Sequence, residues 1–264
     1  MVKPQFPTEK NVLMLHGSSD LYGASKIFLE SVQALKKVGY GVIVVLSEDG
    51  PLVEELKALK AEVHIHKLGI LRRKYFSPSG LVNRFKTILK AKSFLETLMS
   101  ENRITHIYSN TSAVLVGAFL ARMKGVKHIW HLHEILLSPG WFVWLMGIII
   151  NRYADIVVVV SQAVWDNWKD KVDESKLALL HNGIDYRPYL ETKTDIRNEI
   201  PNSEGKVLIG MIGRINHWKG QGYFLDIAQS LVQTHQNVHF IIVGDAYPGT
   251  EHLVTEMEEK IKNS

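Results

Sequence analysis

An arginine and a lysine, Arg214 and Lys219, share the segment GMIGRINHWKGQGYFLDIA. They fall in the loop after an apolar run with the character of a strand, and a helical pattern begins just past Gly220. In an open α/β sheet, ligands bind beyond the carboxyl ends of the strands. A helix start adds partial positive charge and free backbone N–H groups at the same place. Three sources of positive potential therefore converge, with Gly213 in the same loop, and the chemistry they fit is a pyrophosphate. Arg214 can grip two oxygens at once, while Lys219 acts as a mobile point charge. Taken alone, the segment also reads as a surface loop carrying two ordinary cations.

A second group lies in HLHE, which closes another strand-like run. His131 and His133 point to one face of that strand, and His133 and Glu134 stand at its carboxyl edge. Two histidines at i and i+2 can share a metal, but no H-E-x-x-H pattern and no cysteine accompanies them, so no metal site is assigned. His131 also reads as a satisfied core histidine. The loop GSSDLYGAS joins the first strand to the first helix, and Gly17 and Gly23 would let the backbone approach a ligand closely. Plain turn chemistry explains the same glycines. A G-x-G-x-x-G fingerprint is missing, which removes a nicotinamide enzyme, and Ser161 lacks a G-x-S-x-G elbow and is not assigned as a nucleophile.

These residues need elements to hold them. Seven short apolar runs alternate with helical patterns: NVLMLHG, YGVIVVL, AEVHIHKL, THIYSN, VKHIWHLH, DIVVVVS and KLALLHNG. In KIFLESVQALKKVG, Phe28, Val32 and Leu35 share a face and Gly39 follows as a stop signal. Strand–helix–strand alternation predicts a parallel sheet covered on both sides. The pattern breaks in the polar stretch IDYRPYLETKTDIRNEIP, after which a shorter set of two strands and two helices begins at Lys206. We therefore read an α/β protein with one domain over residues 1–188 and a second, partial one over 189–264. A doubly wound domain takes roughly 100 residues to build a core, so the second set is expected to be poorly buried on its open side.

Composition narrows the classes further. Among 264 residues, 46% are hydrophobic and the net charge is +4, a globular profile. Cysteine is absent, which excludes disulfides, thiol nucleophiles and zinc–thiolate sites. The opening MVKPQFPTEK lacks the apolar core of a secretory signal, and no stretch reaches the roughly 20 apolar residues of a spanning helix, so a cytoplasmic location is expected.

GRINHWKG followed by VHFIIVGD resembles the G-R-x(n)-K-G and V-G elements of retaining GT-B glycosyltransferases of the large family-four group. YADIVVVVSQAV resembles the strand-and-serine element before the family's interdomain region, LLHNGID its N-G-V-D signature, and HLHE its acceptor-domain histidine motif. The four elements occur in the family's order. The resemblance implies a GT-B-like fold, with a Rossmann-like N-terminal domain on the acceptor side and a partial second Rossmann-like domain for the donor. It implies transfer from a nucleotide-diphosphate sugar to a glycan or lipid-linked acceptor with retention, in surface polysaccharide synthesis, with no cofactor and no metal. Residue by residue it implies that Arg214 and Lys219 hold the diphosphate, with Gly213 and Gly23 on the nucleotide-sugar side. His133 takes the place of the active-site histidine, bonding the donor sugar or an acceptor hydroxyl, with Glu134 and Gly17 in secondary positions. The family often has two adjacent glycines where this chain has Gly23 and Ala24. Its second domain continues to an E-x7-E element that contacts the donor, and this sequence ends before it. A C-terminally incomplete chain is the expectation, and the alternative is a catalytically incompetent fragment or partner-binding module.

Positive charge concentrates in Arg72, Arg73, Lys74, Arg84, Lys86, Lys90 and Lys92, with no acid among them. No nucleic-acid signature accompanies these cations, which leaves an anionic membrane surface or a solvated basic helix face. The apolar segment SPGWFVWLMGIIINRY is likewise open to two readings: a buried helix, or an interfacial element with Trp141 and Trp144 at headgroup depth.

Overall fold

The computed structural model of the chain describes residues 10–72, 75–191, 193–217, 219–246 and 249–262. It divides into two compact units, Met1–Ile184 and Asp185–Ser264. The domain boundary read at 188/189 falls inside a short helix, Arg187–Leu190, that belongs wholly to the second unit, the division lying instead between Ile184 and Asp185.

The first unit runs β1 (Asn11–His16), α1 (Gly23–Lys37), β2 (Gly41–Leu46), α2 (Pro51–Ala58), β3 (Glu62–Ile65), α3 (Pro78–Glu101), β4 (Ile104–Asn110), α4 (Val116–Lys124), β5 (Lys127–Leu132), α5 (Gly140–Tyr153), β6 (Ile156–Val159), α6 (Gln162–Trp168) and β7 (Leu177–Leu179). All seven apolar runs become strands of one parallel sheet, ordered β3-β2-β1-β4-β5-β6-β7. Side chains alternate across a strand, and β1 shows what that does here. Leu13 and Leu15 pack with Ala91 and Leu95 of α3 and Leu120 of α4, whereas Val12 and Met14 pack with Phe28 and Val32 of α1 and Leu56 of α2. A third cluster gathers Trp130, Leu132, Val157 and Val159 of the sheet under Met146, Ile150, Val164 and Trp168. Each such fully buried apolar side chain contributes roughly 1.5–3 kcal/mol of transfer free energy.

Local signals set the helix starts. Ser77 accepts the Gly80 N–H at 3.1 Å, with Pro78 at the first helical position of α3. Ser161 does the same for α6 through Val164 N–H at 3.3 Å, which gives that serine a capping job. Helix α5 has two distinct faces. Val143, Met146, Gly147 and Ile150 are buried, while Trp141, Trp144 and Ile148 point outward, with Trp144 66% exposed.

The second unit carries the short helix α7 (Arg187–Leu190), β8 (Val207–Ile212), α8 (Gln221–Val232), β9 (Val238–Val243) and α9 (His252–Lys262). β8 and β9 pair in parallel as a two-stranded sheet. Neither strand has a buried residue, and Ile212 is 84% exposed. The poor burial expected of this segment is therefore observed.

Candidate functional site

In the first unit the chain lays down β1, β2 and β3 outward in one direction, then returns to place β4 on the other side of β1. Between β1 and β4 the strand order reverses, and the crevice beyond the carboxyl ends at such a point is where open α/β sheets bind ligands. β1 ends on His16, β4 ends on Asn110, and His133 follows β5 directly. These three side chains are joined. Asn110 lies 3.0 Å from Nδ1 of His16 through its Nδ2 and 2.9 Å from Nε2 of His133 through its Oδ1. His16 is buried, stacks on Phe28 with ring centroids 4.9 Å apart, and bonds Ser25 Oγ through Nε2 at 2.9 Å. Ser25 in turn donates to Asp20 Oδ1 at 2.7 Å.

Asp20 organises the loop between β1 and α1. Besides Ser25 it accepts Ser18 Oγ at 2.7 Å and the Tyr22 N–H at 3.0 Å. Burial pushes its pKa up, but these bonds to the ionised form outweigh it and hold the carboxyl below its ordinary range. Burial has the opposite effect on histidine: it lowers His16 and His133 to about 4 and His131 to about 3, so all three are neutral at pH 7. His131 lies behind His133, ring centroids 4.3 Å apart, with Nδ1 bonded to the Tyr108 hydroxyl, whose own pKa burial raises.

Past Asn110 the backbone is strained. Thr111 has φ 74°, a left-handed conformation unusual for a β-branched residue. Two bonds hold it there: its N–H donates to His131 O at 2.8 Å, and its carbonyl accepts Trp130 Nε1–H at 2.8 Å. Strain persists only where the surroundings over-determine it, and such places cluster at functional sites. Glu134 is half-buried, and its Oε2 accepts the backbone N–H groups of Ser112 and His133, each at 3.2 Å. Burial pushes its pKa up against those bonds. Its carboxylate therefore ties the loops after β4 and β5 together.

The two glycines of the first loop differ. A Cβ on Gly17 would lie 2.8 Å from Ile70 Cδ1, so the close approach there is to Ile70. Gly23 opens α1, and a Cβ there would meet nothing within 4 Å. Sequence reasoning picked out His133, His131 and Glu134 but missed Asp20, Ser25, His16, Tyr108 and Asn110. The available signal was that a histidine and an asparagine close two strand-like runs, at the end of the sheet where ligands bind.

In the second unit, Gly213, Arg214 and Lys219 stand on the β8–α8 loop. The loop is anchored at its base by Gly213 N–H to Val243 O at 2.9 Å and Ile215 N–H to Asp245 O at 3.0 Å. Gly244 makes this possible, because a Cβ there would lie 2.0 Å from the Gly213 carbonyl oxygen. The half-buried Arg214 accepts Gln221 Nε2–H on its carbonyl at 2.9 Å, tying the loop to the first residue of α8. Lys219 is exposed, its N–H held by Asn216 Oδ1 at 2.9 Å, and Gly220 at φ 86° turns the chain into α8. Beside this loop lies a cavity of about 310 Å³ lined by Asn216, Gln221, Asp226, Glu256 and Lys260 among others; Arg214 and Lys219 lie outside its lining. Among the described residues no group of three or more His, Asp or Glu is arranged to hold a metal ion. Arg73 and Lys74 of the basic cluster lie outside the described residues.

A doubly wound sheet with polar side chains converging at its switch point, followed by a second strand–helix set with two cations after its first strand, defines a protein of the α/β class with a candidate site in each unit. Residues 22–187 match the model of Glycosyltransferase Family 4, and residues 192–263 that of Glycosyl transferases group 1. The chain belongs to glycosyltransferase family 4. No curated protein matches the sequence. Among solved structures, Anabaena Alr3699/HepE in complex with UDP-glucose is similar at TM-score 0.73 and 23% identity, covering 96% of this chain and 65% of that one. A glycosyltransferase from Rickettsia africae gives 0.72 and 18%, covering 97% and 65%. Sucrose-phosphate synthase from Thermosynechococcus elongatus gives 0.61 and 14%, covering 95% and 68%. At these identities the likeness establishes the GT-B glycosyltransferase fold. The chain spans just under two thirds of the length of the Anabaena and Rickettsia proteins.

Proposed function

We propose that this chain serves the transfer of a sugar from a nucleoside-diphosphate donor to a glycan or glycolipid acceptor, with retention at the anomeric carbon and without a metal ion. The observation that carries this reading is the β8–α8 loop, which places Arg214 and Lys219 at the start of α8 inside the segment matching Glycosyl transferases group 1. As the sugar departs, negative charge builds on the leaving phosphate. Cations and helix N–H groups at that position stabilise the transition state more than the ground state. The Anabaena protein in complex with UDP-glucose supports a nucleoside-diphosphate sugar as the guest. In the first unit, His133 is the group offered to a sugar hydroxyl.

The test is calorimetric binding and thermal unfolding of the chain with UDP, GDP and their sugars. A ligand at about a hundredfold excess over its Kd raises stability by roughly 2.7 kcal/mol. Arg214→Ala is expected to abolish that gain. Equal stabilisation of the variant and the parent would remove the diphosphate site from Arg214. Where turnover is measured, NMR of the product's anomeric proton decides retention.

We further propose that the first unit works at an anionic membrane surface on the cytoplasmic side, in the assembly of surface polysaccharide. Val82, Phe85 and Leu89 are exposed on α3 beside Lys86 and Lys90, and Trp141 and Trp144 are exposed on α5. Phe76 contacts Trp141 with ring centroids 5.9 Å apart, linking the start of α3 to that of α5. Neither 67–95 nor 135–154 contains an acid. Apolar side chains flanked only by cations fit lipid headgroups of negative charge. No helix among the described residues is long and apolar enough to cross a membrane. Sedimentation with phosphatidylglycerol vesicles, but not with phosphatidylcholine vesicles, is the expected result, weakened by salt and by Phe85→Glu. Indifference to lipid charge would overturn it.

A further inference from the structure

The polar chain at the switch point has a single direction of donation, fixed from its acidic end. A carboxylate only accepts, so Ser25 spends its one proton on Asp20 at 2.7 Å. The Ser25 oxygen is then an acceptor for His16 Nε2 at 2.9 Å, so that nitrogen carries the proton of the neutral ring and Nδ1 carries a lone pair. Asn110 Nδ2 donates to that Nδ1 at 3.0 Å and to the Ala24 carbonyl at 3.3 Å. Turning the amide over would set its oxygen against two acceptors, so its orientation is settled. Asn110 Oδ1 therefore faces His133 Nε2 at 2.9 Å, and an oxygen acceptor at that distance demands a proton on Nε2. No described residue bonds His133 Nδ1.

We propose that Asn110, oriented by His16, Ser25 and Asp20, is a positioning residue that holds His133 as the Nε2–H tautomer with its Nδ1 lone pair presented as an acceptor for a substrate hydroxyl. The relay spans the switch point, from the β1–α1 loop through the ends of β1 and β4 to the residue after β5. A ring held in this way accepts a hydrogen bond from a hydroxyl and has no N–H left to donate to one. The strained Thr111 that follows Asn110 belongs to the same device, because the bonds from Thr111 to β5 set where the Asn110 side chain points. The substrate role rests on the sugar-transfer reading; the tautomer is a property of the folded chain alone.

The experiment is two-dimensional ¹H–¹⁵N NMR of the ring nitrogens in the full chain with ¹⁵N-histidine at pH 7, without any nucleotide. His133→Gln assigns the signals. The expected spectrum has a pyrrole-type Nε2 bearing a slowly exchanging proton and a pyridine-type Nδ1. A proton on Nδ1, a charged ring, or an Nε2 proton lost to fast exchange overturns the proposal. Asn110→Asp keeps an acceptor oxygen against Nε2 and adds a charge, so the Nε2–H signal should persist and the His133 titration midpoint should rise by about one to three pH units. An unmoved midpoint in a folded variant overturns it as well. In that variant the second carboxylate oxygen stands where Asn110 Nδ2 met His16 Nδ1, so the His16 midpoint should rise together with that of His133, while the His131 and Glu134 side chains keep their partners. Should the variant fail to fold, the parent spectrum still decides. Since no donor is present, a negative result here is distinct from a failure of the Arg214 binding test.

Discussion

The two units are built from the same strand–helix alternation, yet their strands meet different surroundings. β1 has a hydrogen-bonded neighbour on each side and helices over both faces, and Leu13, Met14 and Leu15 are fully buried. β8 has one neighbour and no buried residue, although VLIGMI is as apolar as the runs of the first unit. Apolar sequence sets the tendency to be covered; the number of neighbouring elements decides whether it is met. The two candidate sites differ in the same way. Around His133 the polar groups are buried and bonded to one another, so their orientation is set before a ligand arrives, whereas Lys219 stands in solvent on a loop pinned at its ends.

The largest effect that would sharpen this contrast is in the first core. Trp168 is fully buried and donates Nε1–H to the Glu134 carbonyl at 3.3 Å, so Trp168→Ala should cost about 3–5 kcal/mol in urea unfolding of the first unit. A loss under about 1 kcal/mol would show that the covered face is not tightly packed.

Acid comes next. His16, His128 and His133 titrate at about 4 and His131 at about 3, because burial disfavours the charged ring. The unfolded chain takes up protons near the ordinary histidine value of about 6.5. Between those values it binds more protons than the folded chain, so stability is full above about pH 6.5 and falls as pH drops toward 4. Unfolding measured by calorimetry at pH 5 should take up several protons in the first unit, the uptake by these histidines being offset in part by Glu134, whose raised pKa acts in the opposite sense. Uptake near zero would mean that the histidines are charged in the folded state and the buried relay is wrong.

A smaller effect is expected at the second site. Gly220 has φ 86°, and a Cβ there would meet nothing within 4 Å, so the penalty of Gly220→Ala is purely conformational, about 1–2 kcal/mol. It should appear in the second unit's transition and leave the first unchanged. The smallest effect is on the open sheet: Ile212 is 84% exposed, and Ile212→Ala should change stability by no more than about 0.5 kcal/mol. A cost of several times that in thermal unfolding would break the comparison, since it would mean that β8 is covered in solution.

Much of this molecule is local. Each of the seven first-unit strands was legible as an apolar run between turn residues, because a parallel sheet buried on both faces selects continuous apolar segments. The cation loop was legible because Arg214, Lys219 and the start of α8 lie within a few residues of each other. By itself the sequence determined the element order and the two strand–helix sets, and it singled out HLHE as a candidate site. Only the tertiary structure decided that His16 and Asn110, 94 residues apart, would meet. It also decided that α5 would bury one face and leave Trp141 and Trp144 on the other. Both depend on which strands become neighbours and in what register, and those choices are made by packing whole faces together.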